Sequence, residues 1–196
     1  MASNLFITNK EKKLSDRLGE LIGLSRELRV LVGFFYFSGI KALHEALTSN
    51  KAIKLRILVG LEAEEHCGRV VEFVREATEA QGDRDIQTAY LKSLRESFRS
   101  KALDKPSFYE RAGCFLDLLR EGRLELRKTK EPNHAKMYLF DIKDEHALLR
   151  DKMWITGSSN LTLPGLESQG ELNVELSDFG GKDASDYFEA LWTDAV

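Results

Sequence analysis

The stretch from His134 to Glu175 reads HAKMYLFDIKDEHALLRDKMWITGSSNLTLPGLESQGELNVE and contains three polar pairs, each separated by one residue: His134 with Lys136, Ser158 with Asn160, and Asn173 with Glu175. Residues i and i+2 of a β-strand point to the same face. Each pair therefore presents both side chains on one side of a sheet, and three such strands side by side would build one polar site. The spacing predicts strands at Lys136 to Phe140, Lys152 to Thr156 and Leu172 to Leu176.

Upstream, Leu14 to Leu28 carries Leu14, Leu18, Leu21, Ile22, Leu24 and Leu28 at helical spacing. Arg29 to Phe37 (RVLVGFFYF) is apolar on both faces, as expected of a strand covered by helices on two sides. Ser38 and Gly39 end it, Ile40 to Leu47 reads as a helix, and Ile53 to Leu61 as a second strand. The β-α-β order implies parallel pairing. Glu62 to Gly82, Ile86 to Leu103 and Ser107 to Gly122 are helical in pattern, and Leu124 to Arg127 restarts the sheet. Ala184 to Ala195 closes the chain as an apolar helix with no polar tail, which points to a longer polypeptide of which this is an N-terminal part. The aromatic run Phe34 to Phe37 reads as core rather than as a stacking platform.

With 196 residues, 42% hydrophobic, the chain is long enough for one domain with a sizeable core. The longest apolar run, Val30 to Phe37, is broken by Gly33 and far too short to span a membrane. The N-terminus lacks the apolar stretch of a signal peptide, so a cytoplasmic location follows by default. Cys67 and Cys114 lie in unrelated contexts with no metal-ligand spacing and read as buried thiols; His66 beside Cys67 has no partner pair, and His44 and His146 carry no signal. The net charge of −3 is uneven, with residues 92–136 holding 12 Lys/Arg against 7 Asp/Glu and residues 137–196 holding 4 against 12. The basic part runs through Arg123, Arg127, Lys128 and Lys130 directly into His134, a route by which an anionic polymer could be guided. Overall acidity argues against a protein that coats nucleic acid generally.

Cleaving a phosphodiester needs a nucleophile, neutralisation of the phosphoryl oxygens and a proton for the leaving oxygen. His134 can attack as a neutral imidazole if an acceptor fixes its tautomer, and Glu175 is a carboxylate able to do so. Lys136 offers a compact positive charge on the same face, and Ser158 and Asn160 add neutral donors.

His134, Lys136 and Asp141 form H-x-K-x4-D, Gly157 to Asn160 form G-S-x-N, and Asn173 to Glu175 form N-x-E. Together these resemble the signature of the phospholipase D superfamily and its nuclease branch, over about residues 134 to 175. FFYFSG leading into a helix is similar to the N-terminal domains of restriction endonucleases and helicase-linked proteins of that superfamily. The resemblance implies an α/β fold, a mixed and largely parallel sheet sandwiched between helices, with a helical insert around residues 62–122. It implies a metal-independent phosphodiesterase working through a phosphohistidine, with no cofactor and with His134, Lys136, Ser158, Asn160, Glu175 and Asp141 as the catalytic set, Asp141 supporting the site. A second histidine from a second motif copy would protonate the leaving oxygen. Only one copy is present, so a homodimer sharing a composite site is expected. Fifteen residues separate Asp141 from Gly157, where about six are common, so Lys143 to Asp151 is expected to form a longer hairpin or an extra strand.

DNA is the expected substrate, with a module of a helicase or restriction system as the expected setting, on the strength of N-x-E, the single motif copy and the basic insert. A non-catalytic DNA-binding or dimerisation module is the alternative. A phospholipid phosphodiesterase would call for an interfacial apolar loop or a secretion signal, and neither is seen.

Overall fold

The computed structural model describes residues 6–63, 106–146, 151–177 and 179–196. Among them one seven-stranded sheet organises the chain, in the order β1-β7-β6-β5-β2-β3-β4. Its strands are β1 (Phe6–Ile7), β2 (Ser25–Phe35), β3 (Lys54–Ala63), β4 (Leu124–Lys128), β5 (Met137–Ile142), β6 (Lys152–Gly157) and β7 (Asn173–Leu176). The helices are α1 (Leu14–Leu24), α2 (Phe37–Ala42), α3 (His44–Ser49), α4 (Pro106–Arg120), α5 (Leu163–Glu167) and α6 (Gly181–Asp194). The helices expected at 62–82 and 86–103, with Cys67 and His66, lie outside the described residues apart from the end of β3.

The two-faced apolar strand is borne out. On one face of β2, Leu28, Val30 and Val32 join the large core with Leu14, Leu18, Leu21 and Ile22 of α1; on the other, Leu31 packs with Met137, Leu139, Phe188 and Trp192. Helices thus cover both faces. α1 stops at Leu24, four residues before the predicted end, and β2 begins at once. The Ser25 hydroxyl donates to the Leu21 carbonyl (2.6 Å), and the Asn50 amide donates to the carbonyls of Ile22 (2.7 Å) and Ser25 (2.8 Å). These bonds satisfy carbonyls that the helix would otherwise leave open, and Leu28 becomes a core residue of the strand.

The sheet is mixed, as expected, but its parallel part is smaller than expected. Among the strand pairs of the described residues, β2-β3 and β3-β4 are parallel, and β2-β5, β5-β6, β6-β7 and β1-β7 are antiparallel. Connection length explains the difference. A parallel crossover needs about a dozen residues or more, and residues 143–151 between β5 and β6 are fewer. Between β6 and β7 the only helix, α5, has five residues and rises about 7.5 Å, too little to return along a strand. In the longer connection Asp144–His146 forms a 3-10 turn, and no additional strand occurs there among the described residues. β1, two residues long, is too short to carry a periodicity and was not predicted.

Strand direction positions the site. β2, β3 and β4 run one way and β5 runs back against β2, so the start of β5 lies at the carboxyl end of the parallel strands, beside the end of β6 and the start of β7. Ligands of open α/β sheets bind at that end. The segment leading to β5 is laid against β3, with the amides of Thr129 and Asn133 donating to the carbonyls of Val59 and Gly60 (both 3.0 Å). A Cβ on Gly60 would lie 1.9 Å from the Asn133 carbonyl oxygen, so only glycine permits this approach.

Candidate active site

His134 is exposed in the loop that enters β5, and its ring stands edge-on to Phe34 of β2 with centroids 6.3 Å apart. Both the His134 ring and the Asn160 side chain border Gly33, where a Cβ would meet His134 Cδ2 at 3.1 Å and Asn160 Oδ1 at 3.5 Å. Two of the predicted pairs are thereby brought together across β2. The Asn160 Oδ1 accepts from the Phe34 amide (3.0 Å), which leaves its NH2 as a donor toward the cleft it lines.

Lys136 is buried, and its ammonium donates to the His134 carbonyl (2.8 Å). Burial pushes its pKa down, and the charge of Glu171 acts against that shift. The strand expected at Lys136 begins one residue later, at Met137. Lys136 is nonetheless held: the Thr156 hydroxyl donates to its carbonyl (2.9 Å).

The Gly157-Ser158-Ser159-Asn160 turn is built from within. Asn173 is fully buried; its amide accepts from the Ser159 N–H (3.3 Å) and donates to the Ser159 hydroxyl (2.9 Å). The Tyr138 hydroxyl donates to the Ser159 carbonyl (3.1 Å), and burial pushes that phenol well above its ordinary range. Asn173 is therefore a brace for the turn. Ser158 itself is exposed, accepts from the Leu172 amide (3.1 Å) and donates its proton to Glu171. The expected neutral donor to phosphate is thus engaged by a carboxylate.

Glu175 does not meet His134. Both its oxygens accept from Arg17 of α1, at 2.6 Å each, and this pairing raises the Arg17 pKa above its ordinary value. The carboxylate at the site is Glu171, which sequence reading missed. Asn173 and Glu175 share one face of β7, which runs away from the site, and Glu171 lies two residues before that strand begins. Glu175 therefore sits deeper in the sheet, two residues past the start of β7, about 7 Å at ~3.3 Å each. Strand direction was the signal that could have separated them.

Asp141 also lies elsewhere. It is five residues beyond Lys136, about 16 Å along β5, where it accepts from Arg29 (2.7 Å) and Lys152 (2.9 Å). Burial alone would raise its pKa, but the Lys152 hydrogen bond and the Arg29 charge hold it below the ordinary value. Its support of the site is indirect, through the sheet.

The four basic residues divide in two. Arg123 donates to the carbonyls of Leu47 (2.7 Å) and Asn50 (2.9 Å), at the opposite end of the sheet, and Arg127 lies over the Trp192 ring (4.6 Å) and donates to its carbonyl (3.2 Å). Both are structural. Lys128 and Lys130 are exposed and flank the segment that leads to His134. No helix among the described residues is long and apolar enough to cross a membrane.

The aromatic run is core only in alternate residues. Phe35 and Phe37 are fully buried, whereas Phe34 is half-buried and Tyr36 is 41% exposed. Phe34 and Tyr36 line a cleft of ≈ 300 Å³ together with Asn160, Gln169 and Glu171.

Among solved structures the chain resembles NucT from Helicobacter pylori, with 13% identity, TM-score 0.49, and 97% of this chain and 96% of that one covered. It also resembles Nuc from Salmonella typhimurium, a phospholipase D family member, with 12% identity, TM-score 0.49, and 97% and 94% covered. Polyphosphate kinase from Porphyromonas gingivalis shares the fold at 9% identity and TM-score 0.51, over 96% of this chain and 22% of the kinase. No curated protein matches the sequence. The family model described as "Cardiolipin synthase, PLD-like domain" matches residues 21–192, a span that includes His134, Lys136, Asn160 and Glu171, and the chain belongs to that PLD-like family.

Proposed function

We propose that this chain is a DNA phosphodiesterase that uses His134 as a covalent nucleophile and requires no metal ion. The observation that carries this reading is the juxtaposition at Gly33: an exposed imidazole and the Asn160 amide face one point, with Lys136 pinned to the carbonyl of that same histidine. One ring nitrogen of His134 attacks phosphorus, and the leaving oxygen takes a proton from a second histidine. A water deprotonated by that histidine then breaks the P–N bond and restores His134. Lys136 and the Asn160 amide stabilise charge on the phosphoryl oxygens. The second histidine is His134 of a second copy, in a homodimer whose two-fold axis passes through the site. Lys128 and Lys130 supply the positive approach for a strand. The same chemistry would serve a nuclease module of a helicase or restriction system.

The test is cleavage of labelled single- and double-stranded DNA in excess EDTA. Cleavage that persists supports the reading. Cleavage only after metal is added overturns the mechanism, and tight binding without cleavage favours the non-catalytic module. A purified protein that is monomeric and fully active overturns the composite site.

Glu171 takes the positioning role first read for Glu175, fixing the tautomer of a histidine in the composite site. Glu171→Gln keeps the size of the side chain and removes its charge, so kcat is expected to fall about 10²-fold with a displaced pH–rate profile. Glu175→Gln instead breaks the pair with Arg17, and is expected to lower Tm while leaving kcat within a few-fold. Single-turnover kinetics over pH and thermal melts of both variants decide between them.

A further inference from the structure

The cleft beside His134 has a composition that phosphate chemistry alone does not require. Phe34 joins it directly to the nucleophile through the edge-on contact, and Glu171 joins it to Ser158. Its outer wall is Tyr36, an aromatic ring 41% exposed at the end of β2, two residues from Phe34. Gln169 also lines the cleft and offers an exposed amide whose donor and acceptor have no protein partner among the described residues.

Volume and chemistry narrow the occupant. At ≈ 300 Å³ the cleft is at the small end of ligand sites, which run to about 1,000 Å³. That is room enough for one nucleobase. Two aromatic side chains and several hydrogen-bonding groups in one lining suit a heterocycle that stacks and presents donors and acceptors. A carboxylate at one end disfavours a second phosphate there.

Building on the function proposed above, we infer that this cleft seats one nucleobase flanking the phosphodiester attacked by His134, stacked on Tyr36 and read at its edge by Gln169. A base paired within a duplex cannot reach such a seat without being unstacked. The substrate class is therefore an unpaired strand or a strand end, and double-stranded DNA is cut more slowly.

The experiment measures binding of the full chain in EDTA, by fluorescence anisotropy, to three probes: an oligodeoxythymidine of about ten nucleotides, the same backbone made wholly abasic, and a hairpin duplex. Wild type is expected to bind the intact strand most tightly. Tyr36→Ala weakens the intact strand about 5- to 150-fold, the range of base–aromatic stacking, and leaves the abasic strand within about 2-fold. Tyr36→Phe keeps the stacking surface and restores binding, which separates loss of stacking from misfolding. Equal weakening of both single strands, or of neither, overturns the inference. Cleavage read on the same probes separates the two claims: strong base dependence with no cleavage leaves the seat and removes the nuclease, whereas cleavage indifferent to bases and to Tyr36 does the reverse.

Discussion

His134→Ala is expected to lower the rate of DNA cleavage by on the order of 10⁴-fold or more while leaving the melting temperature within a few degrees. The rate expectation follows from the role proposed for His134, because removing a covalent nucleophile abolishes the intermediate. The stability expectation follows from place: His134 is exposed, and its structural contact is one edge-on ring pair with Phe34. A mixed population makes the result more diagnostic. In a composite site the same histidine is nucleophile in one copy and proton carrier in the other, so a mixed dimer has lost one of the two roles. If wild type and variant are mixed in equal amounts and allowed to exchange, only wild-type pairs stay active, and random pairing leaves about a quarter of the activity that the same total amount of wild type would show. Two independent sites would leave about half. Activity against mixing ratio, with sedimentation to confirm the dimer, distinguishes a squared dependence from a linear one, and a linear result sinks the shared site.

The parts of this molecule that sequence made legible are those written in local pattern. Alternation in the strands, the two-faced apolar run of β2 and the G-S-S-N turn each depend on residues that are neighbours in the chain, and the sheet forms where they stand. The placements that differ from expectation share a different cause. Glu171 and Glu175 lie four residues apart in the chain, and the direction of β7, a property of the whole sheet, puts one at the site and the other beneath α1. Arg123 and Arg127 belong to a basic stretch by composition, but Arg123 is spent on carbonyls at the end of α3 and Arg127 on Trp192 of α6. Contacts between residues 65 or more positions apart decide those roles. The aromatic run shows both levels at once: a period of two sends Phe35 and Phe37 inward, and the same period turns Phe34 and Tyr36 toward the cleft.

Asp141 is the member of the expected catalytic set whose removal should cost stability and not chemistry. Asp141→Asn keeps the shape of the side chain and removes its charge from a buried array. Arg29, 3% exposed, lies between Asp141 (2.7 Å) and Glu189 (2.8 Å), with Glu27 3.6 Å from its Nε, and Arg56 ties Glu27 and Glu189 together from the neighbouring strand. Arg29 and Arg56 also approach the face of the Phe188 ring, so the array fastens α6 to the sheet. Removing one partner of a buried pair leaves an uncompensated charge, at a cost of about 3–5 kcal/mol. The contacts that Arg29 keeps with Glu189 (2.8 Å) and Ser185 (2.7 Å) place the expectation at the lower end of that range. The pH dependence has a definite sign. The Asp141 carboxyl is held below its ordinary pKa in the folded state, so its contribution is complete above the unfolded carboxylate range and is lost as pH falls through the lowered folded value. Wild type is therefore expected to lose stability between neutral pH and about pH 3, and Asp141→Asn, already without that contribution, to lose less over the same interval. Denaturant melts of both proteins across pH measure the difference. At neutral pH and a temperature where both are folded, kcat per folded molecule should agree within about 2-fold. A variant that melts like wild type but turns over orders of magnitude more slowly would return Asp141 to the chemistry.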